Sequence, residues 1–382
     1  MIYLDNSATT YPKPQAVQEA LRRALARYGA NPGRSGYDMA VRTTQAVYDT
    51  RRAAAELFGA AGPECVIFTP GCTQSINMVL KGYLKPGDHV VVSDLEHNAV
   101  MRPLTALEKQ GVAYSVAEVI PGDNDATMDS FRRAIRPNTR LVVSTQASNV
   151  FGIRVPVERI AALCHQYGAK LCVDAAQSAG VIPIDMSESG IDFLCCAGHK
   201  GLYGLTGTGL LILRDPTERL ETIIEGGTGT DSKSITQPED PPERYESGTV
   251  NVPGIIALGA GLDFVRRQGP ENLWKREGEK AGWLYERLKK MPHVQLYTDA
   301  PVPTRYVPVF SFNIRGMESE AVGEALAKQG IAVRCGLHCA PAAHRKMGTA
   351  DGTVRVSPGA FTTAADMERF SAAVSRIGIR KL

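Results

Sequence analysis

Lys200 follows directly on Gly198-His199, in a short turn between two apolar runs, Asp192-Phe-Leu-Cys-Cys-Ala197 and Thr206-Gly-Thr-Gly-Leu-Leu-Ile-Leu213, that read as buried strands. Two readings of this lysine stand. It is a solvated loop residue that reaches water along its stem, or its surroundings lower its pKa so that the neutral amine can form a Schiff base. Upstream, Lys170-Leu-Cys-Val-Asp174 is an apolar strand that ends in an acid. An acid at the C-terminal end of a parallel strand lies where open α/β sheets bind ligands, although it also suits a helix cap. A lysine that can hold an aldehyde, with a carboxylate that can keep a pyridine nitrogen protonated, is the pair pyridoxal 5'-phosphate requires.

A second constellation lies near the C-terminus. Arg334-Cys-Gly-Leu-His-Cys-Ala-Pro341 places Cys335 and Cys339 around His338, with His344 close behind. Three readings fit these residue types: a zinc site, two ordinary thiols in a small-residue loop, or one reactive cysteine on a flexible segment that reaches another domain. Arg355, in the apolar stretch Thr353-Val-Arg-Val356, has either an internal salt-bridge partner or a ligand carboxylate to match its planar fork. The turn Thr69-Pro-Gly-Cys-Thr-Gln-Ser75 joins a strand to a helix, so it is a phosphate cradle or a plain helix cap. His97, in Ser93-Asp-Leu-Glu-His-Asn-Ala99, again follows a strand and is a structural or a functional histidine.

The elements that must position these residues follow from hydrophobic periodicity. Helices are expected at Gln15 to Tyr28 and Tyr37 to Phe58, separated by the loop Asn31-Pro-Gly-Arg-Ser-Gly36. From residue 65 strands and helices alternate up to the strand at Lys170, which implies a mostly parallel sheet covered by helices on both faces. Residues 225–254 are polar, Gly- and Pro-rich and too irregular for regular structure, and a loop that long is functional or disordered. Two helices, then short strands at Val294–Tyr297, Val307–Ile314, Ile331–Arg334 and Thr353–Ser357 with a helix among them and one after, suggest a smaller α+β unit.

Composition bounds the function. The 382 residues, 43% hydrophobic, are enough for a large core in two or three domains. A net charge of +3, from 43 basic and 40 acidic residues with no basic block, gives no reason to expect nucleic acid or a membrane surface as partner. No apolar run approaches the ~20 residues of a membrane span, and Met1-Ile-Tyr-Leu-Asp5 lacks a signal-peptide layout, so a cytoplasmic location is expected. Eight cysteines, several inside apolar strands, are expected to be free thiols.

Val173-Asp-Ala-Ala-Gln-Ser-Ala-Gly180, Gly198-His-Lys200 and Val333-Arg-Cys-Gly-Leu-His-Cys-Ala340 together resemble the class V aminotransferase superfamily. Within it they resemble the cysteine desulfurases of the type that also includes selenocysteine lyases. The resemblance runs nearly end to end and keeps the family's order of motifs. It implies an α/β architecture of PLP-dependent transferase fold type I, with a large PLP-binding domain over 15–255. A smaller α+β domain would comprise 1–14 plus 256–382 and carry the cysteine loop.

It further implies a role for each matching residue. Gly71, Cys72 and Thr73 would bind the cofactor phosphate with His199, and Lys200 would carry the cofactor. His97 would stack on the pyridine ring and move protons, Asp174 would pair with the ring nitrogen, and Gln177 would reach the ring hydroxyl. Asn149, in Ser148-Asn-Val-Phe-Gly152, would reach cofactor and substrate, and Arg355 would hold the substrate carboxylate. Thr249 would touch the phosphate of the other subunit in a homodimer. Cys339 aligns with the sulfur-accepting cysteine, and no metal is expected. The implied reaction converts L-cysteine to L-alanine with a persulfide on Cys339, for transfer to a sulfur-acceptor protein. A selenocysteine lyase, a cysteine sulfinate desulfinase or another class V aminotransferase would use the same scaffold, and a non-catalytic interaction protein would merely keep the fold. Two residues depart from the family pattern: Ala197 stands where many relatives have a phosphate-binding serine, and Leu337 where close relatives have a second histidine.

Overall fold

The computed structural model describes residues 1–33, 36–230 and 233–379. The expected loops at 31–36 and 225–254 include Arg34, Ser35, Asp231 and Ser232, which lie outside the described residues. The chain opens with a two-residue strand, β1 (Ile2–Tyr3), and the helices α1 (Gln15–Arg27) and α2 (Asp38–Phe58). Alternation follows through β2 (Val66–Thr69), α3 (Cys72–Tyr83), β3 (His89–Ser93), α4 (Asn98–Glu108), β4 (Ala113–Ala117) and α5 (Asn124–Ala134). It continues through β5 (Thr139–Thr145), α6 (Val157–Gln166), β6 (Lys170–Asp174), the single turn α7 (Met186–Ser189), β7 (Phe193–Ala197) and β8 (Gly209–Leu213).

These strands form one seven-stranded sheet in the order β2-β8-β7-β6-β5-β3-β4. Only β8 runs against its neighbours, pairing antiparallel with β2 and β7; the other pairings are parallel. The inner strands are apolar on both sides, as a sheet covered on both faces requires. Their side chains alternate between two cores. Val91, Val142, Leu171, Val173 and Leu194 face one with Phe131, Phe151 and Ile160. Val90, Val92, Leu141, Val143 and Phe193 face the other with Ile76, Leu80 and Leu104. A one-residue register slip in any of them would exchange the two faces.

The second half begins with α8 (Val252–Gln268) and α9 (Pro270–Lys289), followed by β9 (Val294–Leu296), β10 (Phe310–Ile314), α10 (Ser319–Ala327), β11 (Ile331–Ala332) and β12 (Arg334–Gly336). It ends with α11 (Pro341–Lys346), β13 (Thr353–Val356) and α12 (Ala364–Ile379). An antiparallel sheet in the order β12-β13-β10-β9 forms its centre, and β1 pairs parallel with β11. Ile2 and Leu4 thereby enter the third core, among Leu284, Phe310, Phe312 and Phe370.

The expected division at residue 255 falls inside α8. Leu258 and Leu262 of that helix pack into the larger core, and its Val252, Ile255 and Ile256 cover Ala20 and Ala24 of α1 and Val47 of α2. Two strands are also shorter than their apolar runs. Val307 and Val309 precede β10 but pack against Ala147 and Ile182, because Pro308 between them has no N–H for a ladder. The run from Ile331 to Arg334 breaks at Val333, where the chain leaves β1 for β13.

Candidate functional site

Five strand ends of the large sheet point the same way, and the residues that follow them line one cavity of about 580 Å³. After β2 come Gly71, Cys72 and Thr73; after β3, His97; after β5, Asn149; Asp174 ends β6, with Gln177 beyond it; after β7 come His199 and Lys200. This is the C-terminal edge of the parallel strands, where open α/β sheets gather their ligands. α3 begins at the cavity wall, where its first N–H groups have no intrahelical carbonyl to bond and the helix dipole is positive.

The Lys200 turn is fixed from three sides. Gly198 N–H donates to Thr208 O at 2.9 Å, and Gly204 N–H donates back to Gly198 O at 2.7 Å. Gly201 runs so close to the loop after β6 that a Cβ on it would lie 2.4 Å from Ala179 O, so only glycine fits there. The third contact is the N-terminal segment. The His199 carbonyl accepts from Thr9 Oγ1 (3.1 Å), Thr10 N–H (3.2 Å) and Lys13 Nζ (2.7 Å). Burial pushes the Lys13 ammonium down to about 8.

Burial also depresses the Lys200 ammonium, with Asp174 opposing and Arg355 and Arg334 adding to the fall. A lysine at the back of a cavity with a lowered pKa is a candidate nucleophile and base. Asp174 Oδ1 accepts from Ala176 N–H at 2.9 Å and lies 3.3 Å from Cys72 Sγ. His97 caps α4: its Nδ1 accepts from Ala99 N–H at 3.0 Å, so the neutral ring carries its proton on Nε2. Burial lowers its pKa, and Asp174 partly restores it. His199 is pushed down to about 4 by burial and by the neighbouring Lys200 and Lys13, and its Nδ1 is buried without a hydrogen-bond partner among the described residues.

Three expected site residues lie outside that cavity. Thr249 lines an adjoining hollow of about 290 Å³ with Thr208, Gln74 and Ile224, the last two shared with the main cavity, and its hydroxyl accepts from Asn31 Nδ2 at 3.3 Å. Arg355 is 1% exposed and has an internal partner: its Nη2 donates to Asp5 Oδ1 at 2.7 Å and its Nη1 to Asn149 O at 2.9 Å. Cys339 is exposed on the turn between β12 and α11, 3.8 Å from Arg334 Nη2. That turn is short and anchored rather than a long free arm. Asn98 N–H donates to Cys339 O and Asn149 Nδ2 to His338 O, both at 2.8 Å.

The metal reading of this region meets a geometric obstacle. Cys335 Sγ faces α10, 2.3 Å from where a Cβ on Gly323 would sit, while Cys339 Sγ lies beside Arg334. Among the described residues no group of three or more His, Cys, Asp or Glu side chains could hold a metal ion. All eight cysteines are free. No described helix is long and apolar enough to cross a membrane.

Comparison with known proteins fits this geometry. The family model for class V aminotransferases matches residues 2–370. The chain belongs to the class V aminotransferase family. It is 36% identical to probable cysteine desulfurase 1 of Mycobacterium leprae over 99% of this chain and 62% of that protein. With the probable cysteine desulfurase of Methanothermobacter thermautotrophicus it shares 34% identity over 96% of this chain and 92% of the other. The cysteine desulfurase of Thermococcus onnurineus, solved in its apo form, superimposes with a TM-score of 0.92 at 30% identity, covering 100% of this chain and 95% of that one. The cysteine desulfurase CsdA of Escherichia coli gives 0.88 at 29% identity, with the same coverage. The fold is therefore that of the cysteine desulfurases, type I of the PLP-dependent transferases. The chain spans 62%, 55% and 60% of the length of the first three curated relatives it matches.

The residues fit the cofactor that this family uses. An unpartnered buried His199 Nδ1, the start of α3, a lysine of lowered pKa and a strand-end aspartate converge on one cavity. Lys13 and Glu96 carry no local signal in the sequence. Lys13 sits in a polar opening that reads as turn residues, and Glu96 is hidden beside His97. Its Oε1 accepts from Thr145 N–H at 2.7 Å, and burial pushes its carboxyl up to about 8.

Proposed function

We propose that the chain is a pyridoxal-phosphate-dependent cysteine desulfurase that converts L-cysteine to L-alanine and carries the sulfur as a persulfide on Cys339. One observation carries this reading: an exposed thiol is tied through its own backbone carbonyl to Asn98, next to His97 at the Lys200 cavity. Other reactions of the family need no thiol there.

When bound, the cofactor supplies an aldehyde for the substrate amine and an electron sink for bond changes at its α-carbon. Gly71, Cys72 and Thr73 at the start of α3 would hold its phosphate, with His199 Nδ1 as a further partner. Ala197 offers no hydroxyl to that phosphate. Asp174 would keep the ring nitrogen protonated. The Gln177 amide donates to Ser7 O at 3.0 Å, which leaves its oxygen for the ring hydroxyl. His97 would lie on the ring face, and its Nε2–H is the proton it can offer.

Lys200, whose burial lowers its pKa and so favours the neutral amine, would take the substrate's Cα proton. Asn149 and Arg355 would orient the substrate carboxylate, which requires Arg355 to share its fork between Asp5 and the ligand. Cys339 as thiolate would attack the substrate sulfur. An S–S bond forms, the C–S bond breaks and carbon takes a proton, so the substrate's C–SH becomes C–H and the enzyme's S–H becomes S–SH. The persulfide would then pass to an acceptor protein. Thr249 would complete the phosphate site of a second copy, making a homodimer the working unit.

The test is direct. Purified protein supplied with the cofactor and L-cysteine should yield alanine and sulfide under a reductant, and borohydride followed by peptide mapping should place the cofactor on Lys200. Attachment at another lysine would overturn the site, and a cofactor-loaded protein that makes no alanine would overturn the reaction.

A further inference from the structure

Beneath the Cys339 turn lies a polar chain that the reaction above leaves unused. His338 and His344 are 3% and 0% exposed, with stacked rings whose centroids are 5.5 Å apart. His338 Nε2 lies 3.2 Å from Arg334 O, and His338 Nδ1 lies 3.2 Å from His344 Nε2. His344 Nδ1 lies 2.9 Å from Thr349 Oγ1 and 3.0 Å from Thr349 O. The Phe151 ring meets His344 edge to face, so the surroundings are apolar.

Counting protons fixes the direction of this chain. Both ends are carbonyl oxygens, which only accept. Satisfying both, and the link between the rings, needs three N–H groups, whereas two neutral imidazoles carry two. Either the pair takes up a third proton, or the Thr349 hydroxyl, which also lies 3.3 Å from His344 O, turns its proton to the nearer His344 Nδ1 at 2.9 Å. The charged groups that bear on the pair are the guanidiniums of Arg334 on β12 and Arg355 on β13, and both oppose a positive charge. With burial they push His338 down to about 3, and burial also lowers His344. Burial thus favours the neutral form of both rings, against the opposing bonds to Arg334 O and Thr349 O, and in a neutral pair the hydroxyl must supply the missing proton. Thr349 O–H donates to His344 Nδ1, His344 Nε2–H to His338 Nδ1, and His338 Nε2–H to Arg334 O.

His338 and Cys339 both adopt left-handed backbone, at φ +50° and +58°. Such a conformation in residues with side chains persists where the surroundings over-determine it. The carbonyls of His338 and Cys339 are held by Asn149 and Asn98, Ala340 N–H donates to Leu337 O at 2.9 Å, Arg334 Nη2 lies beside Cys339 Sγ, and the His338 side chain is a further handle. We propose that Thr349, His344 and His338 form a one-way hydrogen-bond relay of positioning residues that locks the left-handed turn presenting Cys339, with the Thr349 hydroxyl setting its direction. What Cys339 then does rests on the desulfurase reading; the relay itself does not.

The test uses cofactor-loaded protein labelled with ¹⁵N-histidine. Long-range ¹H–¹⁵N spectra of the wild type should show His338 and His344 both as neutral Nε2–H tautomers from about pH 6 to about pH 9. Thr349→Ser should keep both. Thr349→Val, which leaves only a carbonyl at His344 Nδ1, should convert His344 to the Nδ1–H form or to imidazolium. It should also alter the rate of Cys339 alkylation by iodoacetamide by roughly fivefold, the scale of one hydrogen bond, and Ser should restore the wild-type rate. A wild type with either ring protonated on Nδ1 would overturn the relay, and this needs no variant to fold. So would Thr349→Val with wild-type tautomers and alkylation. If the tautomers and alkylation behave as stated but no alanine forms from cysteine, the desulfurase reading fails and the relay stands.

Discussion

The backbone carbonyl of Cys339 accepts a hydrogen bond of 2.8 Å from the N–H of Asn98, the first residue of α4 and the neighbour of His97. One bond thus joins the thiol's turn in the second half of the chain to the histidine cap of a helix in the large sheet. The same turn is tied again through His338 O to Asn149 Nδ2.

Asn149→Ala removes that second tie and leaves the first. With the substrate contact proposed for Asn149 lost as well, the expected loss is at least that of one neutral hydrogen bond, ~0.5–1.5 kcal/mol, or several-fold in kcat/KM for alanine formation. The cofactor's absorbance should persist. Unchanged kcat/KM would show that the Asn98 bond alone holds the turn and that Asn149 does not orient the substrate.

Glu96 makes the stability of the apoprotein depend on pH. Its carboxyl is raised from an ordinary 4.5 to about 8, so between these values the folded state holds a proton that the unfolded state has lost. Stability contributed at this position is intact below pH ~4.5 and falls as pH rises towards about 8, at up to ~1.4 kcal/mol per unit. Glu96→Gln should flatten that fall. Denaturant midpoints at acidic and mildly alkaline pH check it, and an equally steep decline in the variant would show that other groups cause it.

The thiols should differ in reactivity according to burial. Six cysteines are buried, and burial pushes partly covered Cys335 up to about 11, so Cys339 should be labelled first by iodoacetamide in the native protein. Cys335→Ser should leave alanine formation almost unaltered. Peptide mass spectrometry after brief labelling gives the order, and Cys335 reacting first would reverse the assignment.

Legibility in the sequence followed the range of the interactions. Lys200 and Asp174 could be read because each ends or follows an apolar run, and strand ends in a parallel sheet converge. The start of α4 could not, because its cap is a histidine, outside the usual capping residues. Asp123 caps α5 within a cluster that reads as a turn, so the start of that helix has no clear local signal. The partner of Arg355 is Asp5, at the opposite end of the chain, and no local pattern announces it. The two-residue β1 and the six-residue α11 are too short for any period to register.

Thr249 tests the assembly. Thr249→Ala should weaken cofactor retention by ~1.5–3 kcal/mol, the value of a hydrogen bond to a charged group, if its hydroxyl serves a second copy's phosphate. Equilibrium dialysis of the cofactor, with light scattering for mass, reads both quantities. A fully active monomer would remove the case for a shared site.

The central claim is that Cys339 takes the sulfur after steps that do not need it. Cys339→Ser keeps Lys200, Asp174 and His97, yet replaces a thiolate with a hydroxyl that is scarcely ionised near neutral pH and is a poor nucleophile towards sulfur. The decisive measurement mixes cofactor-loaded Cys339→Ser with L-cysteine and follows cofactor absorbance and alanine together. The account predicts a spectral change on substrate binding like that of the wild type, with alanine and sulfide formation lost; wild-type alanine production by the variant would contradict it.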